Sequence, residues 1–191
     1  MKKIINLKTQ EEISFGKENL PMYIHGRDHS GASLFSITVA ANLHKAGNKL
    51  LILTAFTMAK DEFLSQVGNE EGFLYLTDEA QITEAENKQT VMVESGNTEL
   101  FIKVCASLKN LAERIIFVKN IETVEQDITQ FSNRLLVSGD LGESPIKDKL
   151  LLMNFKTKIL FSPFNDESLP ELEKYQACLK DGAEDKILGV K

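Results

Sequence analysis

Gly26-Arg27-Asp28-His29-Ser30-Gly31-Ala32-Ser33 follows a short apolar run, Met22-Tyr23-Ile24, and opens into a helix-like segment, Ser33 to Lys45. Strand, glycine loop, helix is the setting in which the pattern G-x-x-x-x-G-K-[ST] acts as a phosphate cradle. Both glycines and the terminal hydroxyl stand in register, but Ala32 occupies the lysine position. The loop still offers backbone N–H groups and a helix N-terminus to an anion. It lacks the side-chain cation that reaches the outer phosphates. Losing one charged hydrogen bond costs about 1.5–3 kcal/mol, roughly a ten- to hundredfold loss of affinity. The stretch predicts a nucleotide-binding fold with impaired catalysis.

Working outward, short apolar runs alternate with amphipathic ones. The runs are Met22–His25, Lys49–Ala55, Phe73–Leu76, Thr90–Glu94, Arg114–Val118, Arg134–Ser138 and Lys158–Phe161. Unbroken apolar stretches such as Leu50-Leu51-Ile52-Leu53 and Ile115-Ile116-Phe117-Val118 suit strands covered on both faces, as in parallel sheets. Between them, Ser33–Ala46, Thr57–Val67 and Thr98–Ala112 carry apolar residues at three- and four-residue steps, with Gly47 as a stop for the first. Alternating strands and helices predict an α/β three-layer sandwich with a mainly parallel central sheet. The turn-rich stretch Gly139–Pro145 separates Leu135–Ser138 from Lys158–Phe161, and predicts an antiparallel C-terminal edge hairpin made of those two strands. Pro163 and Pro170 punctuate the final stretch of chain. Glu171–Leu179 reads as a short helix, and Gly182 onward as a frayed tail.

Composition sets the limits. A chain of 191 residues suits one domain, 1–191, with a core at about 21–164 and a short helix and tail over 165–191. Net charge is −6 with no basic block, which argues against a polyanion-wrapping surface and against nucleic acid as partner. Cys105 and Cys178 share no metal-ligand spacing, and Cys105 sits on an apolar helix face as a small core residue. No signal peptide and no membrane-length apolar segment is visible, so the expected address is cytoplasmic.

The order of these signals resembles the RecA/KaiC-like branch of P-loop NTPases, over roughly Pro21 to Phe164. Gly26–Ser33 looks like the family's Walker A and Lys49–Thr54 like its second strand. Val91-Met92-Val93-Glu94-Ser95 looks like its Walker B, with Glu94 where aspartate is usual. Ile115-Ile116-Phe117-Val118-Lys119-Asn120 resembles the strand whose polar end senses the γ-phosphate. Lys156 and Lys158 resemble the basic residues that reach a neighbouring subunit's site. The resemblance implies ATP or ADP with Mg²⁺, held by Gly26, Arg27, His29, Ser30, Gly31, Ala32, Ser33 and Glu94. Ser33 and Glu94 would be the metal contacts. Two departures stand out: Ala32 replaces the lysine, and Ala55-Phe56-Thr57 replaces the water-activating acid expected after the second strand. The nearest acids, Asp61 and Glu62, lie on the next helix.

Other candidates are weaker. Asp78-Glu79-Ala80-Gln81 mimics a metal-binding D-E pair, but acids also favour the first turn of a helix. His25 at a strand end reads as packed or hydrogen-bonded, and His44 as solvated. Ser30 and Ser33 lack a His/Asp partner set. The expectation is therefore a pseudo-ATPase acting as a binding, regulatory or assembly subunit, with weak or no nucleotide binding. It would form homo-oligomers or hetero-oligomers with a RecA-like relative. The alternatives are a divergent ATPase whose missing cation comes from Lys119, Lys156 or Lys158, or a DNA-associated recombinase accessory.

Overall fold

The computed structural model describes residues 2–27, 29–55, 57–94, 98–161, 172–173, 175–181 and 185–190. Each apolar run folds as a strand. These are β2 (Met22–His25), β3 (Leu50–Thr54), β4 (Phe73–Leu76), β5 (Thr90–Glu94), β6 (Ile115–Lys119), β7 (Leu135–Gly139) and β8 (Thr157–Phe161). Three further strands, β1 (Ile4–Asn6), β9 (Ala177–Lys180) and β10 (Lys186–Val190), complete a ten-stranded sheet. Its order is β1-β10-β9-β8-β2-β7-β6-β3-β5-β4. From β8 to β4 all pairings are parallel, and β9, β10 and β1 close one edge antiparallel.

Period-two alternation divides each strand between two cores. Met22 and Ile24, Leu50 and Ile52, and Ile115 and Phe117 face one side, packed with α1 (Ala32–Lys45) and α2 (Met58–Val67) through Phe35, Val39 and Phe63. Tyr23, Leu51 and Leu53, and Ile116 and Val118 face the other. There they meet α3 (Ile82–Ala85), α4 (Thr98–Ser107) and α5 (Lys147–Leu151) through Ala85, Val104 and Leu150. Two apolar faces per strand explain the unbroken apolar runs, and the result is the expected three-layer α/β sandwich.

Three details differ from expectation. Leu135–Ser138 and Lys158–Phe161 are not an edge hairpin: β7 and β8 run parallel on either side of β2. The intervening chain is long enough for a parallel return, and it crosses the sheet by burying Leu150 and Phe155. The antiparallel C-terminal edge hairpin is instead β9 and β10. Consequently the expected helix Glu171–Leu179 ends as a strand, and the expected tail carries β10. Ala177, Cys178 and Leu179 gain more by burial beside β8 than a short helix could gain at the surface. Glu171 and Gly182 themselves, with Pro163 and Pro170, lie outside the described residues. Finally, the helix expected over Thr98–Ala112 stops at Ser107. Glu86 draws the chain away by accepting from the Lys109 N–H at 3.0 Å and, through its carbonyl, from Asn110 Nδ2 at 2.9 Å.

The register of the central strands is fixed by Arg114, which is fully buried. Its guanidinium donates to Asn110 Oδ1 (2.8 Å) and to the carbonyls of Leu50 (3.0 Å), Ala85 (2.9 Å), Lys88 (2.8 Å) and Gln89 (3.3 Å). A planar fork of donors satisfies five acceptors from three segments at once. That clasp fixes where β6 begins against β3, and so where Lys119 ends it.

Candidate functional site

Gly26, Arg27 and His29 to Gly31 lie in the bend between β2, in the sheet interior, and α1, which opens with Ala32 and Ser33. Gly31 adopts φ +97° immediately before the helix, a left-handed conformation that glycine enters without the cost a Cβ imposes. A Cβ on Gly26 would come within 2.2 Å of Ala32 Cβ and 2.5 Å of Ser30 Oγ, so the loop closes tightly on itself. Ser30 is turned inward, where its hydroxyl accepts from the Ala32 N–H at 3.3 Å. Ser33 stands exposed at the mouth.

Above the loop lies a cavity of about 480 Å³, within the ~300–1,000 Å³ range of small-molecule sites. Among the residues expected from sequence, Gly26, Arg27, His29, Gly31, Ala32 and Ser33 line it, whereas Ser30 and Glu94 do not. Glu94 ends β5, which β7, β6 and β3 separate from β2. Four strand spacings put it roughly 19 Å from the loop strand. Its neighbour is Tyr75, whose phenol is held above its usual range by burial first and by the Glu94 carboxylate second. The structure therefore does not bring together Ser33 and Glu94, the expected metal pair.

β2 is flanked by β8 and β7, and β7 with β6 beyond it supplies residues of the opposite wall. Ser138, Gly139 and Asp140 come from β7 and its exit, while Lys119, Asn120 and Glu122 come from β6 and its exit. Glu143 adds a further acid to the rim. Several of these are tied together. Arg27 Nε donates to Asp140 Oδ2 (2.9 Å), and the Gly142 N–H to Asp140 Oδ1 (3.0 Å). Glu122 accepts from Asn120 Nδ2 and from the Asp140 N–H, each at 3.3 Å. Lys119 Nζ donates to Asn120 Oδ1 at 3.2 Å. Burial pushes the Asp140 carboxyl up, yet the Arg27 and Gly142 hydrogen bonds outweigh it and leave the group below its ordinary range.

Lys119 is 4% exposed. By alternation it faces the α1 and α2 side of the sheet, as Ile115 and Phe117 do. There, with Ser33, it also lines a second cavity of about 400 Å³ shared with Met58, Ala59, Asp61 and Glu62. Lys156 and Lys158 lie elsewhere: the Lys156 N–H donates to the Pro21 carbonyl, and Lys158 registers with Tyr23. Both stand where β8 begins, the end of the sheet away from the loop.

The remaining candidates settle as structural residues. Asp78 caps the short turn Glu79–Gln81 by accepting from the Ala80 N–H at 2.8 Å, after edge strand β4. His25 Nδ1 is 2.7 Å from Tyr23 OH. His44 is buried rather than solvated: its Nδ1 meets Thr90 Oγ1 at 2.8 Å and its ring packs edge-on against Phe63. The Cys105 thiol is pushed up to about 12 by burial, which suits an inert packed residue. Sequence reasoning missed Ser138, Asp140, Glu122 and Glu143. The available signal was the polar Ser138-Gly139-Asp140 directly after the apolar Leu135-Leu136-Val137. Placing that run at the sheet edge hid it.

Mg²⁺ beside a nucleotide usually takes one or two carboxylates along with phosphate oxygens and water. Here the side chain that shares both cavities with Ser33 is an ammonium. Asp61 and Glu62 of α2 line only the second cavity, which Ser33 alone of the loop residues reaches. Of the three acids of the loop cavity, Asp140 and Glu122 already accept from Arg27, Asn120 and backbone N–H groups, and Glu143 lies on the rim after β7. The residues present do not fit a divalent cation at Ser33.

No protein-family model matches the sequence, and a search of curated proteins returns no significant similarity. Solved structures do match. The genome packaging NTPase B204 from Sulfolobus turreted icosahedral virus 2, in complex with AMP, has 18% identity and a TM-score of 0.59, over 87% of this chain and 95% of that one. The same NTPase with AMPPCP has 16% identity and a TM-score of 0.58, over the same shares of the two chains. ATPases 2 and 3 of Thermomonospora curvata EccC, in complex with a signal sequence peptide, give 10% identity and a TM-score of 0.63, over 99% of this chain and 40% of that one. The chain has the fold of the P-loop NTPases. Its glycine loop occupies the bend between an interior strand and a helix that this fold uses to hold phosphate. Among the described residues, no helix is long and apolar enough to cross a membrane.

Proposed function

We propose that this chain is a catalytically impaired, RecA-like P-loop subunit, a single domain that holds ATP or ADP weakly and does not turn it over. It acts by binding, pairing in the cytoplasm with copies of itself or with an active relative. The observation that carries the reading is that Lys119 lines both cavities that Ser33 lines. Phosphoryl transfer depends on placed charge: a cation on the outer phosphates, a metal held by carboxylates and an acid or amide aligning water. Here Ala32 removes the first, and Lys119 at the end of β6 opposes the second. The cradle of glycine backbone and helix N-terminus is kept, which supports binding without chemistry. Similarity to NTPases solved with AMP and AMPPCP supports a nucleotide as the ligand.

Phosphate release from ATP with Mg²⁺, measured on purified protein, tests this directly. Release should stay at background. Turnover that disappears in Ser33→Ala would overturn the reading in favour of a divergent ATPase. That second reading has one observation in its favour: of the three candidate replacement cations, Lys119 lines the cleft.

A further inference from the structure

We propose that Lys119 takes the place of the divalent cation in this cleft, so that the site binds a nucleoside di- or triphosphate without Mg²⁺. The inference rests on the proposed reading of the cleft as a nucleotide site, and it specifies the form of the ligand. The loop presents backbone N–H donors to a phosphate group, and those donors need a neutralising positive charge nearby to hold a polyanion well. In a metal-dependent site that charge is shared between a loop lysine and Mg²⁺. Ala32 provides neither. Lys119 ends β6, two strand spacings or roughly 10 Å from β2. It projects to the α1 side and lines both cavities that meet at Ser33. A cation introduced beside the Ser33 hydroxyl would face this ammonium across a partly buried cleft, where like charges repel more strongly than in water. The same ammonium meets a phosphate oxygen favourably. A buried lysine lining the cavities of Ser33 thus inverts the usual preference. Free nucleotide is the better ligand, and Mg²⁺ competes by drawing nucleotide into a complex that the cleft accepts poorly.

Titration calorimetry of the whole chain with ATP and with ADP, in EDTA and in millimolar Mg²⁺, decides it. Affinity in EDTA should equal or exceed that in Mg²⁺. Lys119→Met should weaken binding in EDTA roughly tenfold or more, the loss expected for one charged hydrogen bond, while Lys119→Arg should stay within a few-fold. Should Lys119→Met fail to fold by circular dichroism, the comparison of the two buffers on the unmodified chain is decisive by itself. Binding that requires Mg²⁺ overturns this inference and leaves the nucleotide-subunit reading standing. Unchanged affinity in a folded Lys119→Met also overturns it. No binding in either buffer overturns both, whereas ATP turnover overturns only the reading of impaired catalysis.

Discussion

Arg27 Nε donates to Asp140 Oδ2 at 2.9 Å, joining the glycine loop after β2 to the turn after β7 across the mouth of the cleft. The arginine side chain is 62% exposed and the carboxylate 15%. An ion pair this open contributes at most about 1 kcal/mol to folding. Its greater effect is on the ligand, since Arg27 held by Asp140 is not available to a phosphate. Asp140→Asn should therefore leave the urea midpoint nearly unchanged and tighten ADP binding by about two- to tenfold, the scale of one weakly screened charge. Calorimetry on the variant measures it, and weaker binding would show that Arg27 needs Asp140 to be positioned.

Ala32→Lys restores the missing cation of the loop. Binding of ADP should tighten roughly tenfold, in line with one regained charged hydrogen bond. Phosphate release should nevertheless remain at background, because β6 still ends in Lys119 and its ammonium still opposes a metal at Ser33. Hydrolysis by Ala32→Lys alone would mean that the lysine was the sole defect.

Arg114→Leu removes a buried fork that satisfies five acceptors, four of them main-chain carbonyls. The orphaned carbonyls and the change of shape should cost about 3 kcal/mol or more in chemical denaturation. Arg114→Lys should recover only part, since one ammonium cannot reach three segments in a single plane.

Acidification should destabilise the fold below the ordinary histidine range. Burial, then the Lys45 charge, lowers the His44 pKa, and burial followed by Arg27 lowers that of His25 against an opposing pull from Asp140. A histidine lowered in the folded state binds fewer protons there than when unfolded. Stability from these groups is thus intact above about pH 6.5, the ordinary histidine pKa, and falls as pH drops below it until the folded-state values are passed. Denaturation midpoints across pH 7.5 to 5.5 should decline, and His44→Gln should flatten the slope. A midpoint that rises with acid would contradict both assignments.

Much of the architecture was legible because its causes are local. The seven parallel strands coincide closely with unbroken apolar runs, whereas β1 spans only three residues and β9 and β10 depend on antiparallel pairing toward one edge. Lys186-Ile187-Leu188-Gly189-Val190 carries a glycine and a lysine, and only pairing with β1 and β9 makes it a strand. His44 was misread for the same kind of reason: the α2 residue that covers it, Phe63, is distant in sequence.

Local chemistry determined the glycine bend, the helix it opens and the absence of a lysine at position 32, since spacing and residue type alone set those. Strand order was decided by hydrogen bonds between segments tens of residues apart, and the apolar runs are too alike in composition to encode it individually. Because of that order, β6 rather than β5 ends two strands from the loop strand, and Ser33 shares its cavities with Lys119 and not with Glu94.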